Sequence, residues 1–172
     1  MPTRGEMQIY TIGHSTHKWE TFAKLLNGSG IELLVDVRAN PSSRFAPFAN
    51  KNTLPALLER IGVDYEFMGG MLGGRRSYTA KDRQEFYSKM RGLDEFQDEI
   101  GRLVSMASRR KTVVLCSEED PKDCHRLLLL GPSLEQNGCE VLHIRGDGRV
   151  QSTEQIGAGK KYAQQLQGAF TI

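Results

Sequence analysis

One short apolar segment constrains the fold of this chain more than any other feature. Residues 31–37 form a nearly continuous run of branched aliphatic side chains, and Asp36 and Arg38 stand at its end. A half-exposed strand would alternate apolar and polar residues, whereas a strand buried on both faces has this unbroken pattern. Strands of that kind belong to parallel sheets that carry helices on both sides.

Further strand and helix patterns alternate along the sequence. Strands are predicted at residues 8–12, 63–68, 112–116 and 139–144, and helical periodicity at residues 19–26, 52–61, 81–90, 94–108 and 124–136. Parallel strands joined by right-handed crossovers predict a three-layer α/β/α sandwich with a mostly parallel sheet of about five strands. The 172 residues fit one domain, with residues 145–172 as a C-terminal extension that holds a short helix near residues 160–166.

Composition narrows the functional classes. The net charge of +2 does not indicate a nucleic-acid-binding protein, although basic residues cluster at 75–76, 109–111 and 160–161. Three cysteines do not make a disulfide framework. No apolar run approaches the length of a membrane span, and the N-terminus has no signal-peptide pattern. We therefore expect a soluble cytoplasmic protein.

Polar residues follow most of the predicted strands. They are His14 and Ser15, Asp36 and Arg38, Cys116 and Glu118, and His143. The carboxyl ends of parallel strands share one edge of the sheet, and ligands bind in the crevice outside that edge. Residues far apart in sequence are therefore expected to converge on one site.

Asp36 and Arg38 lie two apart on a strand and so point the same way. Either they form an ion pair that orders the following loop, or Arg38 binds a substrate anion while Asp36 acts as a base or an orienting carboxylate. His14 is a candidate for substrate contact. Ser15 is a candidate either for the same role or for capping the next helix.

The segment CSEEDPKDCHR, residues 116–126, concentrates reactive side chains in one crossover. Arg126 and His125, at a helix start, would form an anion clamp with Arg38, unless Arg126 pairs with Glu118 or Asp120. Glu118 is a candidate general acid, base or nucleophile, or else an exposed loop acid.

The cysteines leave three interpretations open. Cys124 could be a nucleophile of low pKa, and Cys116 could simply be buried. A metal site is disfavoured, since the two are eight residues apart and Cys124 and His125 would diverge around a helix. The glycine-rich segment 69–76 matches no nucleotide-binding motif, so it is predicted as a mobile flap carrying Arg75 and Arg76. No cofactor or metal is expected.

Several motifs together resemble the family called domain of unknown function 488. They are IGHS at 12–15, LVDVRANPSSR at 34–44, LGG at 72–74, LCSEEDPKDCHR at 115–126 and HI at 143–144. The resemblance spans residues 9–144 and brings no established activity. It implies a fold and a site location, with recurrent polar positions at His14, Ser15, Asp36, Arg38, Pro41, Ser43, Cys116, Glu118, Cys124, His125 and Arg126. Our candidates for substrate binding are Ser15, Arg38, Ser43, Arg44, Gly73, Gly74, Cys116 and Arg126, and our candidates for catalysis are Asp36, Glu118, His125, His14 and Cys124.

These features favour a hydrolase or transferase that acts on a phosphate-bearing, nucleotide-like or nucleic-acid substrate. LLVDVR also resembles the rhodanese-like domains, in which a catalytic cysteine follows a later strand. A thiol enzyme for sulfur transfer is thus one alternative, although the carboxylates at 118–120 oppose thiolate formation. A non-catalytic nucleotide or nucleic-acid-binding module is the other. Oligomeric state is open.

Overall fold

The computed structural model describes residues 7–73 and 80–157. Within these residues there are six strands: β1 (Met7–Gly13), β2 (Leu33–Asp36), β3 (Asp64–Phe67), β4 (Thr112–Cys116), β5 (Cys139–Ile144) and β6 (Val150–Ser152). The helices are α1 (Trp19–Gly28), α2 (Leu54–Arg60), α3 (Gly69–Leu72), α4 (Ala80–Arg91), α5 (Asp94–Arg109), α6 (His125–Leu128) and α7 (Leu130–Gln136). Short 3₁₀ turns lie at Pro47–Ala49 and Pro121–Asp123.

The strands form one sheet in the order β3-β2-β4-β1-β5-β6. β1 to β5 are parallel, and β6 pairs antiparallel with β5. The predicted mostly parallel sheet is confirmed. The extra strand β6 was missed, because its three residues carry no apolar run that periodicity can detect.

Helices cover both faces of the sheet and enclose two cores. Phe22 and Leu26 of α1 pack with Leu54 and Leu58 of α2 on one face. On the other face, α5 contributes Phe96, Ile100 and Leu103, and α7 contributes Leu130 and Leu134. This arrangement confirms the predicted three-layer α/β/α sandwich. No helix within residues 7–73 and 80–157 is both long enough and apolar enough to cross a bilayer.

Two local predictions were wrong. The helix predicted at residues 124–136 divides at Leu129 into α6 and α7, and Cys124 precedes it in an extended conformation. The glycine-rich segment begins with the helical turn α3 instead of a mobile flap. A Cβ on Gly69 would lie 1.9 Å from the Arg38 carbonyl oxygen, and Leu72 is fully buried, so this turn is packed. Residues 74–76, with Gly74, Arg75 and Arg76, lie outside the described residues, as does the helix predicted near 160–166.

The crossovers locate the binding edge of the sheet. The chain leaves β1 into α1 on one face and leaves β4 into α6 and α7 on the other. β1 and β4 are neighbours, so their loops diverge at the carboxyl edge and open a crevice there.

Candidate functional site

A polar crevice of about 830 Å³ opens at the carboxyl ends of β1 and β4. Its wall is formed by residues from three loops: His14, Ser15, Thr16, Asn40, Ser42, Ser43, Arg44, Phe45, Asn50, Ser117, Glu118 and Glu119. Five residues predicted for the site therefore meet in one space, namely His14, Ser15, Ser43, Arg44 and Glu118.

Gly13 allows two of these loops to meet. The hydrogen bonds between β1 and β4 continue past both strands, from the His14 N–H to the Cys116 carbonyl (3.0 Å) and from the Ser15 N–H to the Ser117 carbonyl (2.9 Å). A Cβ on Gly13 would stand 1.7 Å from the Glu118 carbonyl oxygen. Ser15 has a φ of 47° and caps no helix, since α1 begins after Lys18. The alternative in which Ser15 caps that helix is wrong.

His14 and Glu118 bring titratable groups to the same wall. The Nδ1 of His14 lies 3.0 Å from the Ser15 carbonyl oxygen, and its Nε2 has no hydrogen-bond partner among the described residues. Burial lowers the pKa of His14 below its usual 6.5, so the imidazole is neutral at neutral pH. A proton on Nδ1 leaves a lone pair on Nε2, a buried atom. Glu118 forms no ion pair within the described part of the chain.

The loop after β2 supplies the opposite wall. The Ser43 N–H donates to Oδ1 of Asn50 at 2.7 Å, and the Ser43 hydroxyl accepts from the Ala46 N–H at 3.1 Å. These bonds fix the loop while Arg44 remains exposed at the crevice. Arg44 is thus a cation that a bound anion could reach.

Glu119 was not among the predicted site residues. Its carboxylate accepts a two-pronged pair of hydrogen bonds from Arg145 (2.9 and 3.1 Å) and a third from the Gly146 N–H. The hydrogen bonds from Arg145 lower the pKa of Glu119 to about 2. Arg145 directly follows β5. The expectation that polar residues at the carboxyl ends of strands form the site would therefore have identified Arg145, the partner of Glu119.

Asp36 and Arg38 do not face the crevice. Arg38 donates to Asp36 through Nε (2.8 Å) and Nη2 (2.7 Å), and Nη2 also reaches the Ala49 carbonyl. The Tyr65 hydroxyl donates to Oδ2 of Asp36, the oxygen that also accepts from Nη2 of Arg38. Asp36 is fully buried, and Arg38 is only 3% exposed. Burial, together with this bond, raises the pKa of Tyr65. The ion pair of the first alternative is thus present, and neither residue lines the crevice where a base and an anion anchor were predicted.

Arg126, predicted as part of an anion clamp, is completely buried and does not line the crevice. Its Nη2 donates to the Glu119 carbonyl oxygen at 2.7 Å. Nε and Nη1 have no hydrogen-bond partner in the described part of the chain. Burial lowers the pKa of Arg126 to about 10, and the guanidinium stays charged at neutral pH. It supports the loop from beneath, and α6 is too short to provide an anion site at its start.

Two sulfurs and an imidazole meet behind Glu118. Cys116 and Cys124 are joined by a disulfide with Cα atoms 7.4 Å apart, and each is 1% exposed. Nδ1 of His125 lies 3.5 Å from Sγ of Cys116 and 3.8 Å from Sγ of Cys124. Cys124 thus offers no free thiolate in this form, and its predicted role as a nucleophile is not supported. The expected divergence of Cys124 and His125 is wrong, since Cys124 is extended and lies before the helix.

His125 is oriented by the backbone that directly follows β2. Its Nε2 lies 2.9 Å from the Val37 carbonyl oxygen, so Nε2 carries the proton and Nδ1 presents a lone pair to the sulfurs. Burial lowers the pKa of His125 below its usual value. Glu118 connects this cluster to the crevice, because its Oε2 lies 3.0 Å from Sγ of Cys116.

Two predicted residues remain. Gly73 packs against the backbone of Ala39 and is not part of the crevice wall. His143 is fully buried on β5, between the hydroxyls of Thr11 (2.7 Å) and Thr153 (3.1 Å).

Residues 18–131, about two thirds of the chain, match the family model for the domain of unknown function DUF488. The chain belongs to this family. The matched range includes Asp36, Arg44, Glu118 and the cysteine–histidine cluster, and it excludes His14 and Ser15. No curated protein and no solved structure matches the chain significantly.

Proposed function

We propose that this DUF488 protein is a hydrolase or transferase whose substrate carries a phosphate group, as nucleotides and nucleic-acid ends do. One observation carries the proposal: His14 and Glu118, from two different strands, line the same polar crevice. A neutral imidazole and a carboxylate are the usual groups for general acid–base catalysis. In this scheme one of them accepts the proton of the attacking water or hydroxyl and then returns that proton to the leaving group.

Arg44 takes the anion-binding role in this proposal, in place of the buried Arg38 and Arg126. Arg44 is exposed and lines the same crevice as Glu118, Ser42 and Ser43. Arginine pairs with phosphate oxygens through two parallel hydrogen bonds, and nearby hydroxyls can donate to the remaining oxygens. With about 830 Å³, the crevice is large enough for a nucleotide.

Turnover of nucleotides and end-phosphorylated oligonucleotides tests the proposal. Glu118→Gln should lower kcat by about 10²–10⁴-fold, as expected for the loss of a general acid or base. Arg44→Ala should mainly raise KM, by about tenfold, since it removes a charge-assisted contact. The exposed Glu20→Gln and Arg60→Ala are the matched controls. Binding that falls with salt but gives no product would favour a non-catalytic module. If the protein shows no turnover and no binding, both the enzyme and the non-catalytic module are refuted.

A thiol enzyme is the second candidate function. It is favoured by the position of Cys116 at the carboxyl end of β4, with His125 Nδ1 3.5 Å from its sulfur. Thiosulfate and persulfide transfer assays on the reduced protein test it. Activity that is lost in Cys116→Ser but retained in Glu118→Gln would favour this candidate over acid–base chemistry.

A further inference from the structure

We propose that the reduced protein binds one zinc-type divalent ion through Sγ of Cys116, Sγ of Cys124 and Nδ1 of His125. These three atoms lie within 4.8 Å of one another. Residues 7–73 and 80–157 contain no other group of three such side chains at that spacing. Two thiolates and an imidazole suit zinc, which binds nitrogen and sulfur in tetrahedral geometry. This proposal does not depend on the substrate of the crevice.

The orientation of His125 supports a ligand role. Metal-binding histidines nearly always donate their second ring N–H to a carbonyl or carboxylate, and this bond fixes the tautomer. Here the Val37 carbonyl oxygen lies 2.9 Å from Nε2, and the sulfurs are beside Nδ1. A histidine that only filled space would not need one nitrogen anchored and the other directed at two sulfurs.

The backbone spacing of the cysteines also fits a metal. Disulfides usually join Cα atoms about 4.4–6.8 Å apart, whereas Cys116 and Cys124 are separated by 7.4 Å. Zn–S bonds of about 2.3 Å in tetrahedral geometry hold two sulfurs about 3.8 Å apart. The wider backbone therefore suits two sulfurs that share an ion.

Charge and accessibility fit the same site. A divalent ion with two thiolates and a neutral imidazole has no net charge, so it can be held behind the crevice without a large desolvation cost. Three protein ligands leave a fourth position, and the nearby Glu118 has its Oε2 3.0 Å from Sγ of Cys116. Zinc sites with three protein ligands keep that position for water or substrate.

Loading the metal requires that the disulfide be reduced first. A dithiol reductant transfers two electrons and two protons to the Cys116–Cys124 bond and becomes a disulfide itself. The ion then displaces the two thiol protons, which leave to solvent. Exchange of the loaded site with a small-molecule disulfide would re-form the Cys116–Cys124 bond and release the ion, while the small-molecule disulfide takes up the two electrons, and two protons from solvent, to become two thiols.

Anaerobic titration of the reduced full-length protein with Co²⁺ tests the proposal. We expect one ion per chain, intense visible bands of tetrahedral cobalt, and a near-ultraviolet thiolate-to-cobalt band. Adding Zn²⁺ should displace the cobalt and abolish both sets of bands. Cys116→Ser, Cys124→Ser and His125→Gln should each weaken binding by more than about 100-fold, since losing an outer partner alone costs about 10–100-fold. Cys139→Ser is the matched control, because Cys139 opens β5 at the opposite end of the sheet.

The wild-type spectrum keeps the test decisive even if a variant fails to fold. No stoichiometric uptake, an octahedral cobalt spectrum, or a missing thiolate band would overturn the proposal. So would an equal loss of binding in Cys139→Ser. Nucleotide turnover that persists in the metal-free reduced protein would leave the proposed acid–base function standing without this site.

Discussion

Single residues decide how closely the loops after β1 and β4 can approach each other. Gly13 is the clearest case, because the backbone of Glu118 occupies the space of the missing Cβ. The contact is with backbone, which cannot rotate away as a side chain can. The position of Glu118 in the crevice therefore depends on the absence of a side chain at Gly13.

Gly13→Ala should displace the loop that carries Glu118. A Cβ 1.7 Å from the Glu118 carbonyl oxygen forces a backbone shift, and overpacking of this kind costs about 1–3 kcal/mol. We expect a loss of that size in the free energy of unfolding, measured by urea denaturation, together with loss of any crevice activity. Gly28→Ala is the control. Its Cβ would meet nothing within 4 Å and should be neutral or slightly stabilising. Equal stability of the two variants would contradict the packing argument.

Residues also show where prediction from sequence succeeded and failed. The strand-end rule correctly brought His14, Ser15 and Glu118 together, because it depends only on the direction of the strands. The rule failed for Arg38, which does not reach the crevice. Arg38 donates to the Ala49 carbonyl, and its partner Asp36 accepts from Tyr65. No local pattern places the segments of Ala49 and Tyr65 nearby. A charge at the end of a strand can thus be turned inward by distant contacts.

At the scale of elements, one ion pair joins the loop after β4 to the turn between β5 and β6. Glu119 accepts hydrogen bonds from Arg145 and from the Gly146 N–H. The bonds hold the crevice loop to the far side of β1. Stability gained in this way depends on the charge of one carboxylate.

Glu119→Gln should lower the free energy of unfolding by about 1 kcal/mol at neutral pH, a modest value because the carboxylate is 34% exposed. The folded-state pKa, about 2, lies below the usual 4.5. The stabilisation is therefore present above pH 4.5 and is lost as the pH falls toward 2. Denaturation at both ends of that range should show that the difference in free energy of unfolding between variant and wild type becomes smaller as the pH falls. Glu154→Gln, at an exposed position, should show no such gap.

Elements also limited what the sequence could predict. The helix expected at 124–136 has continuous periodicity, yet it divides at Leu129. The extended Cys124 directs its sulfur toward His125, an outcome set by tertiary contacts of the loop. Local pattern therefore gave the correct element but the wrong geometry for the chemistry at its start.

For the whole molecule, buried histidines shape the response to acid. Burial lowers the pKa of His143 to about 3, and the charges of Arg126 and Arg145 act in the same direction. The unfolded chain takes up a proton near pH 6.5, whereas the folded chain does not until about pH 3. Stability should therefore fall as the pH drops through this window.

His143→Gln should flatten that response. Each pH unit within the window costs the wild type up to about 1.4 kcal/mol through this one proton, and the variant lacks that contribution. Chemical denaturation at several pH values between about 6.5 and 3 measures the two slopes. Burial also lowers the pKa values of His14 and His125. Both residues are present in the wild type and in the variant, so their contributions to the pH dependence of stability cancel in the comparison. Parallel slopes would show that His143 is not the group responsible.

The two edges of the sheet have a consequence for how this protein can associate. β6 is only three residues long, and β3 is four residues long with ion pairs from Asp64 to Arg110 and from Glu66 to Arg102. Short, charged outer strands offer few free amide groups and discourage another chain from extending the ladder. Growth of the sheet into ribbons or fibrils is thereby disfavoured at both sides. Association through helical surfaces, or through the open ends of the strands, is left as the easier route.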